Sequence, residues 1–163
     1  MNSISANLNL MIKACEKASK VLIRDFGELE KLQVSKKGPN DFVTNSDFKT
    51  ERIIIEELNK GRPNYSIISE ESGIEKNKDS KNTWIIDPID GTINFLHGLP
   101  HFAISIALKF NDEITSGLIF DPIKNEMFYA EKDNGAKIQV PPFIESGDEI
   151  IVDTRSIEYV KKI

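Results

Sequence analysis

Apolar residues recur at helical spacing over the opening of the chain, with charged residues between them. They are Ile4, Leu8, Met11, Ile12, Cys15, Ala18, Val21, Leu22 and Phe26. This period of three to four residues predicts an amphipathic helix that buries one face. Gly27 directly follows the last apolar position and is expected to end the helix.

A turn, a short strand and a second helix are expected next. Residues 36–41 contain Gly and Pro, which predicts a turn, and the apolar residues 42–44 predict a strand. Residues 45–47 supply capping side chains before 48–59, where apolar positions alternate with Glu and Lys at helical spacing. The breakers at 61–64 are expected to close this second helix.

Short strands separated by turns are predicted for the following part of the chain. The apolar runs 66–68 and 84–86 predict strands, and the polar stretch 73–82 between them predicts a mobile surface loop. The remaining expected elements are strands over 102–110, 117–120 and 126–130, with a turn at 121–125. Helices first and hairpins later favour an α+β or layered α/β/α fold over a regularly alternating parallel sheet.

Composition narrows the class of protein. A length of 163 residues is enough for one domain with a core, or for a fragment of something larger. The formal net charge of −5 gives no direct signal for nucleic acid or an anionic membrane surface. A single cysteine, Cys15, fits a reducing compartment. With no signal peptide and no apolar run of membrane-spanning length, a soluble, cytoplasmic protein is expected.

The chemistry begins with two carboxylates three residues apart, Asp87 and Asp90, directly after the apolar run 84–86. Pro88 between them fixes φ and removes a backbone donor, so the turn is stiff and the two side chains can converge. Converging carboxylates repel each other unless a cation lies between them, and oxygen ligands suit Mg2+ or Mn2+. The alternative is an ordinary turn in which Asp90 caps a helix.

Neighbouring residues favour the cation site. Gly91 and Thr92 stand at a predicted helix start, which offers N–H groups and a positive dipole end to an anion. Glu70 and Glu71 follow another predicted strand, where a third carboxylate could arrive, and Asp47 lies at the start of the second helix. Each has a simpler interpretation, a solvated Glu pair and a helix N-cap. Together they predict a metal site beside a phosphate site.

Three segments also resemble motifs of the inositol monophosphatase family. The longest is Trp-Ile-Ile-Asp-Pro-Ile-Asp-Gly-Thr-Ile-Asn-Phe at 84–95, followed by Gly-Leu-Pro at 98–100. The others are Glu-Glu-Ser-Gly at 70–73 and Asp-Phe-Val-Thr-Asn-Ser-Asp at 41–47. The resemblance implies a layered α/β/α sugar-phosphatase-like fold, truncated to its N-terminal half, over residues 1–136.

A metal site follows from this resemblance. It implies that Glu70, Asp87 and Asp90, with the backbone carbonyl of Ile89, ligate Mg2+. Such ions lower the pKa of a bound water, polarise the phosphoryl group and stabilise the leaving alkoxide. The reaction implied is hydrolysis of a phosphate monoester without a phospho-enzyme.

The phosphate and the attacking water are assigned in the same way. The resemblance implies that Asp90, Gly91 and Thr92 bind the phosphate. Thr92 and Glu70 would position and activate the water, and Asp47 would be hydrogen-bonded to Thr92. These implied roles make Glu70, Thr92 and Asp47 the candidate catalytic residues.

The roles of nearby Lys and His side chains in this site are less well defined. Lys36 matches a family residue near the metal-bound water, and Lys37 is an equally reachable substitute. His97 and His101 flank the longest motif, but the implied chemistry needs no histidine, so no direct role is expected for them.

The C-terminal segment departs from the family pattern. The resemblance implies a second α/β half with another metal-binding Asp and most substrate contacts, and neither is found here. Residues 137–163 instead resemble the end of bacterial elongation factor P and predict short strands. This resemblance implies that the segment is a fusion remnant. The alternative is a common β-hairpin pattern without that origin.

Two functions are therefore carried forward. The first is Mg2+-dependent hydrolysis of a small phosphorylated polyol, inositol monophosphate above all, impaired by truncation. The alternative is an inactive remnant, or a binding or regulatory module, that keeps a partial metal site; the family is also linked to RNA metabolism and transcription. A homodimer is compatible with the resemblance, and a translation factor rests on the tail alone.

Overall fold

Two long helices form in the computed structural model, which describes residues 4–28, 34–38, 41–132, 135–137, 150–153 and 158–162. The first, α1, spans Ala6–Phe26. Its start is capped by the Ser5 side chain, which accepts a hydrogen bond from the Leu8 N–H at 3.1 Å. It ends at Gly27. The predicted opening helix and its end are thus confirmed.

A hairpin and the second helix follow. Strands β1, Val34–Gly38, and β2, Asp41–Thr44, pair antiparallel, with Lys36 opposite Phe42. The predicted turn over 36–41 is therefore wrong for 36–38 and for 41, which belong to the two paired strands, and residues 39–40 lie outside the described residues. Helix α2 spans Asn45–Gly61.

The start of α2 differs from the prediction. The residues expected to cap it, 45–47, already form its first turn. Asp47 in this turn suits the positive end of the helix dipole, so the polar residues extend the helix instead of preceding it. The predicted breakers at 61–64 agree with the end of α2 at Gly61.

The remaining main elements build one mixed sheet. In chain order they are β3 Tyr65–Ser69, β4 Gly73–Glu75, β5 Asp79–Asp90, the short helix α3 Thr92–Leu96, β6 Ala103–Phe110, β7 Glu113–Asp121, β8 Glu126–Glu131 and β9 Gly135–Lys137. The seven strands are ordered β4-β3-β5-β6-β7-β8-β9. Only the β3–β5 pair is parallel among these described strands, with Ser69 opposite Ile86.

The predicted strands are confirmed, four of them with wider bounds and the one over 102–110 beginning one residue later, but the predicted loop is not. Residues 73–82 contain β4 and the start of β5. These residues are largely exposed, so they carry no apolar alternation to reveal a strand. The turn after β7 is confirmed, and the Asp121 carboxylate accepts the N–H groups of Ile123 and Lys124, both at 2.9 Å.

The core lies between one face of the sheet and the two long helices. Leu8, Met11 and Leu22 of α1 and Ile54 and Leu58 of α2 are fully buried. Their partners on the sheet are Trp84, Ile86, Ile104, Ile106 and Leu118. Helices on one face of a mixed sheet confirm the expected α+β layered class.

The last described strands stand apart from this sheet. Strand β10, Ile150–Asp153, pairs antiparallel with β11, Glu158–Lys162. The predicted domain boundary between residues 136 and 137 falls within β9, which pairs with β8. Within the described ranges, no helix has the length and apolarity that a bilayer crossing needs.

Candidate metal and phosphate site

The parallel pairing of β3 and β5 brings two of the predicted metal ligands to one edge of the sheet. Ser69 lies opposite Ile86, and the next N–H, that of Glu70, donates to the Ile86 carbonyl at 3.2 Å. The strands therefore stay together for one further residue. Glu70, the residue that follows β3, therefore lies beside Asp87 on β5.

A bulge in β5 shapes the turn that carries the Asp pair. Asp87 lies opposite Ser105 and Asp90 opposite Ala103, so β5 has one extra residue against β6. Pro88 is tolerated there because a bulge leaves a position without a ladder hydrogen bond. The Ile89 N–H turns inward and donates to Asp87 Oδ1 at 3.1 Å, which fixes the carboxylate.

The Asp87 carboxyl group is strongly perturbed. Its half-buried position, the charge and hydrogen bond of Glu70 and the charge of Asp90 together raise its pKa to about 8, with burial the largest cause. The hydrogen bond from the Ile89 N–H acts in the opposite direction. Glu70 and Asp87 therefore form an all-oxygen pair, and a divalent cation would relieve the repulsion between the two groups when both are ionised.

The three carboxylates do not make a closed ligand set. Across the described residues, no three His, Cys, Asp or Glu side chains are grouped closely enough to hold a metal ion. Asp87 and Glu70 are in hydrogen-bond contact, whereas Asp90 is exposed and acts on Asp87 through its charge. The structure thus brings two of the predicted metal ligands together and places the third nearby.

Thr92 links the Asp turn to α2. Its Oγ1 lies 3.0 Å from the carbonyl oxygen of Ile89 and 3.4 Å from Oδ1 of Asp47. A hydroxyl has one proton, so Thr92 donates to one of these acceptors at a time. Asp47 is fully buried, which keeps its carboxylate close to the Thr92 hydroxyl.

Gly91 begins the short helix α3 in a conformation that suits glycine. Its φ is +95°, in the left-handed region, and it is the N-cap of α3. An added Cβ would lie 3.1 Å from the His101 carbonyl oxygen and 3.4 Å from Phe102 Cα. The close approach and the positive φ both explain glycine here, beside the N–H groups that a helix start leaves unpaired.

A cavity of about 190 Å3 opens beside Asp90 and Gly91. His101, Asp121 and Lys124 are among its lining residues. The His101 carbonyl accepts a hydrogen bond from Asn94 Nδ2 at 2.8 Å, so the backbone of the segment is fixed while the imidazole is exposed. His97 is exposed and lies at the C-terminal end of α3. Lys124 adds a positively charged side chain to the lining of this cavity, next to the predicted phosphate position.

One residue beside the candidate site, Glu51, was not predicted from the sequence. Glu51 of α2 is 1% exposed, and its carboxylate accepts hydrogen bonds from the Ser69 and Ser72 hydroxyls and from the Glu71 N–H. Its position four residues after Asp47, on the same helix face, is the signal that was available. Lys36 lies in β1, and its side chain falls outside the described residues, so its role stays a prediction.

The acidic pair at two parallel strand ends, beside a glycine-capped helix, lies in a protein of the mixed α+β layered class. The chain belongs to the inositol monophosphatase family, whose model matches residues 5–158. The match passes residue 137, and the elongation factor P resemblance of the last segment stays a prediction.

Individual relatives agree with the family. The chain is 53% identical over 132 residues to an inositol-1-monophosphatase of Rhizobium meliloti, covering 81% of this chain and 50% of that protein. It is 46% identical over 131 residues to the Nus factor SuhB of Pasteurella multocida, covering 80% and 49%. The chain spans about half the length of these relatives.

A solved structure matches the fold as well. The extragenic suppressor protein suhB of Bartonella henselae aligns with a TM-score of 0.81 and 48% identity. The alignment covers 83% of this chain and 52% of that structure. The described fold is therefore the one found in about half of a known family member.

Proposed function

We propose that this chain forms the metal- and phosphate-binding half of a Mg2+-dependent phosphatase for small phosphate monoesters, with inositol monophosphate as the substrate. The observation that carries the proposal is the Glu70–Asp87 carboxyl pair, which lies next to the glycine-capped start of α3. Such a pair is stabilised by a divalent cation, and such a helix start by a phosphate. Their adjacency suits an ester of phosphate.

Each residue has a place in this reaction. Glu70, Asp87, Asp90 and the Ile89 carbonyl would hold Mg2+, because all four offer the oxygen ligands that this ion prefers. Bound Mg2+ supplies charge neutralisation and a lowered pKa of its water. Glu70 would then take a proton from the attacking water.

The phosphate would bind on the other side of the Asp turn, at the start of α3. Asp90, Gly91 and Thr92 stand at the start of α3, where N–H groups would face a bound phosphate. The Thr92 hydroxyl, whose Oγ1 lies 3.4 Å from Asp47 Oδ1, would orient the water while Asp47 accepts a hydrogen bond from this hydroxyl. In this scheme Lys36 supplies positive charge near the same water.

Phosphate release tests the proposal directly. Purified chain, shown to be folded by circular dichroism, should release phosphate from inositol 1-phosphate when Mg2+ is added and stop when EDTA is added. Asp87→Asn should abolish turnover because it removes a ligand, whereas Asp112→Asn should not. Asp112 is the matched control because its side chain is 95% exposed in the β6–β7 turn. Folded wild-type protein without turnover would sink the proposal.

A second candidate function is a binding or regulatory module that keeps the metal site without turnover. The observation in its favour is the 46% identity to the Nus factor SuhB of Pasteurella multocida. Calorimetry should then detect Mg2+ binding that Asp87→Asn abolishes, with no release of phosphate. Turnover in the phosphate assay would remove the reason for this alternative.

The C-terminal segment and the assembly are separate proposals. Residues 137–163 would be a tail similar to the end of elongation factor P and without a role in the reaction, and the chain would form a homodimer. A chain shortened after residue 136 should keep its phosphatase activity if the tail is dispensable. Sedimentation of both chains would give the oligomeric state and show whether the tail affects it.

A further inference from the structure

Glu51 is a buried carboxylate whose two oxygens accept hydrogen bonds from residues on both sides of Glu70. Oε2 accepts hydrogen bonds from the Ser69 hydroxyl and, at 2.9 Å, from the Glu71 N–H. Oε1 accepts a hydrogen bond from the Ser72 hydroxyl. The residue before Glu70 and the two after it are therefore held by one side chain.

The electrostatic setting of Glu51 is unusual for a glutamate at 1% exposure. In the described part of the chain, its recorded partners are the two hydroxyls and the backbone N–H, and no ion pair with a cationic side chain is found. A buried charge is tolerated only when hydrogen-bonded, and bonds to a carboxylate are the strong ones. The three donors thus make a stiff link between α2 and the segment 69–72.

The same helix also reaches the other half of the site. Asp47 lies one turn before Glu51, and its Oδ1 is 3.4 Å from Thr92 Oγ1. One face of α2 therefore contacts both the Glu70 segment and the turn after Asp87. Their relative position depends on this rigid element.

We propose that Glu51 is a positioning residue: by holding the backbone on both sides of Glu70, it keeps the Glu70 carboxylate facing Asp87 and so sets the affinity for the divalent cation. The inference rests on the proposed metal site. Glu51 itself does not contact the cation, the phosphate or the water. Mutation of groups that orient metal ligands without contacting the metal commonly lowers metal affinity about 10- to 100-fold.

The test is Mg2+ binding by calorimetry on folded full chain, without substrate. Glu51→Gln keeps the size of the side chain but replaces one acceptor oxygen by an amide donor, which faces a hydroxyl or N–H. We expect Mg2+ affinity to fall at least about tenfold. Glu56→Gln is the matched control, because it removes the same charge from an exposed position on the same helix, and its affinity should equal that of wild type.

A second readout needs no metal. The Glu71 amide donates to Glu51, so its hydrogen exchange in EDTA, followed by NMR, should accelerate in Glu51→Gln and stay unchanged in Glu56→Gln. If Glu51→Gln proves unfolded, Ser72→Ala replaces it, because it removes one donor from an exposed residue, and it should also weaken Mg2+ binding.

The outcomes separate this inference from the proposed function. A folded Glu51→Gln or Ser72→Ala chain with wild-type Mg2+ affinity overturns the positioning role, whatever the turnover. Weaker Mg2+ binding in these variants supports it even if wild-type protein releases no phosphate, a result that would count against the phosphatase alone. A merely structural role would lower the folded fraction without changing the affinity of the folded chains.

Discussion

The carboxyl groups of Glu70 and Asp87 are hydrogen-bonded across the parallel strands β3 and β5. Two carboxyl groups make such a bond only when a proton lies between them. Burial and the charges of Glu70 and Asp90 raise the pKa of Asp87 from 3.8 to about 8. Near neutral pH, a proton and a divalent cation therefore compete for this carboxyl pair.

The first prediction concerns stability against pH without metal. Because folding raises the pKa of Asp87, the native state holds a proton that the unfolded chain has lost. The stabilisation from this group is complete below about pH 4 and is lost as pH rises through about 8. Asp87→Asn, which cannot ionise, should gain stability relative to wild type between pH 5 and pH 8, by about 2 kcal/mol after allowance for solvent screening.

Urea unfolding in EDTA at the two pH values measures this difference. Asp112→Asn serves as the control, because its exposed carboxylate is not in the site and its stability should follow wild type. Parallel pH profiles for wild type and Asp87→Asn would contradict the raised pKa.

The second prediction concerns Mg2+ and pH together. A cation that binds the carboxyl pair must displace the shared proton, so binding is weaker where the proton is held firmly. Excess Mg2+ should raise the melting temperature of the wild-type chain more at pH 8 than at pH 6. Thermal unfolding with Mg2+ or EDTA checks this, and an equal shift at both pH values would contradict displacement of a proton. Asp87→Asn should show little shift at either pH.

The candidate site could be predicted from the sequence where its residues are contiguous. Asp87, Asp90, Gly91 and Thr92 lie within six residues, and the stiff Pro turn and the helix start are local features. That Glu70 meets Asp87 depends on the parallel pairing of β3 and β5. Strand pairing of this kind is a tertiary choice that local periodicity does not encode.

The missed elements have a physical explanation too. Strand β4 is exposed along its whole length, with Ile74 at 69%, so it lacks the alternation that marks a half-buried strand. Glu51 reads as one more charge on a helix until α2 is packed against the segment 69–72. The spacing of four residues from Asp47 puts both carboxylates on one face of α2, but it does not show that this face is buried.

The third prediction concerns Gly91. Alanine there would take an unfavourable φ of +95° and place a Cβ 3.1 Å from the His101 carbonyl oxygen. We expect a loss of stability of about 1–3 kcal/mol and weaker phosphate binding, because the start of α3 must shift. Gly73→Ala is a matched control, since it shares a positive φ, +78°, but its Cβ would meet nothing within 4 Å.

Chemical denaturation and calorimetric titration with inorganic phosphate separate the two effects of Gly91→Ala. Strain alone would make both glycine variants similarly less stable and leave phosphate affinity intact. Crowding at the site predicts a larger loss for Gly91→Ala, and only this variant should lose phosphate affinity. Equal behaviour of the two variants in both assays would refute the crowding.

The last prediction concerns the Thr92 hydroxyl, which lies 3.0 Å from the Ile89 carbonyl and 3.4 Å from Asp47 Oδ1. Thr92→Val keeps the shape of the side chain and removes the hydroxyl, so the attacking water would lose its orienting group. We expect kcat to fall about 100-fold or more, as is typical when proton transfer is lost. Thr92→Ser keeps the hydroxyl and should retain most of the activity, and Mg2+ affinity should change little in both variants. Steady-state kinetics at saturating Mg2+ decides the matter, because comparable kcat values for Val and Ser would mean that the hydroxyl serves the fold and not the reaction.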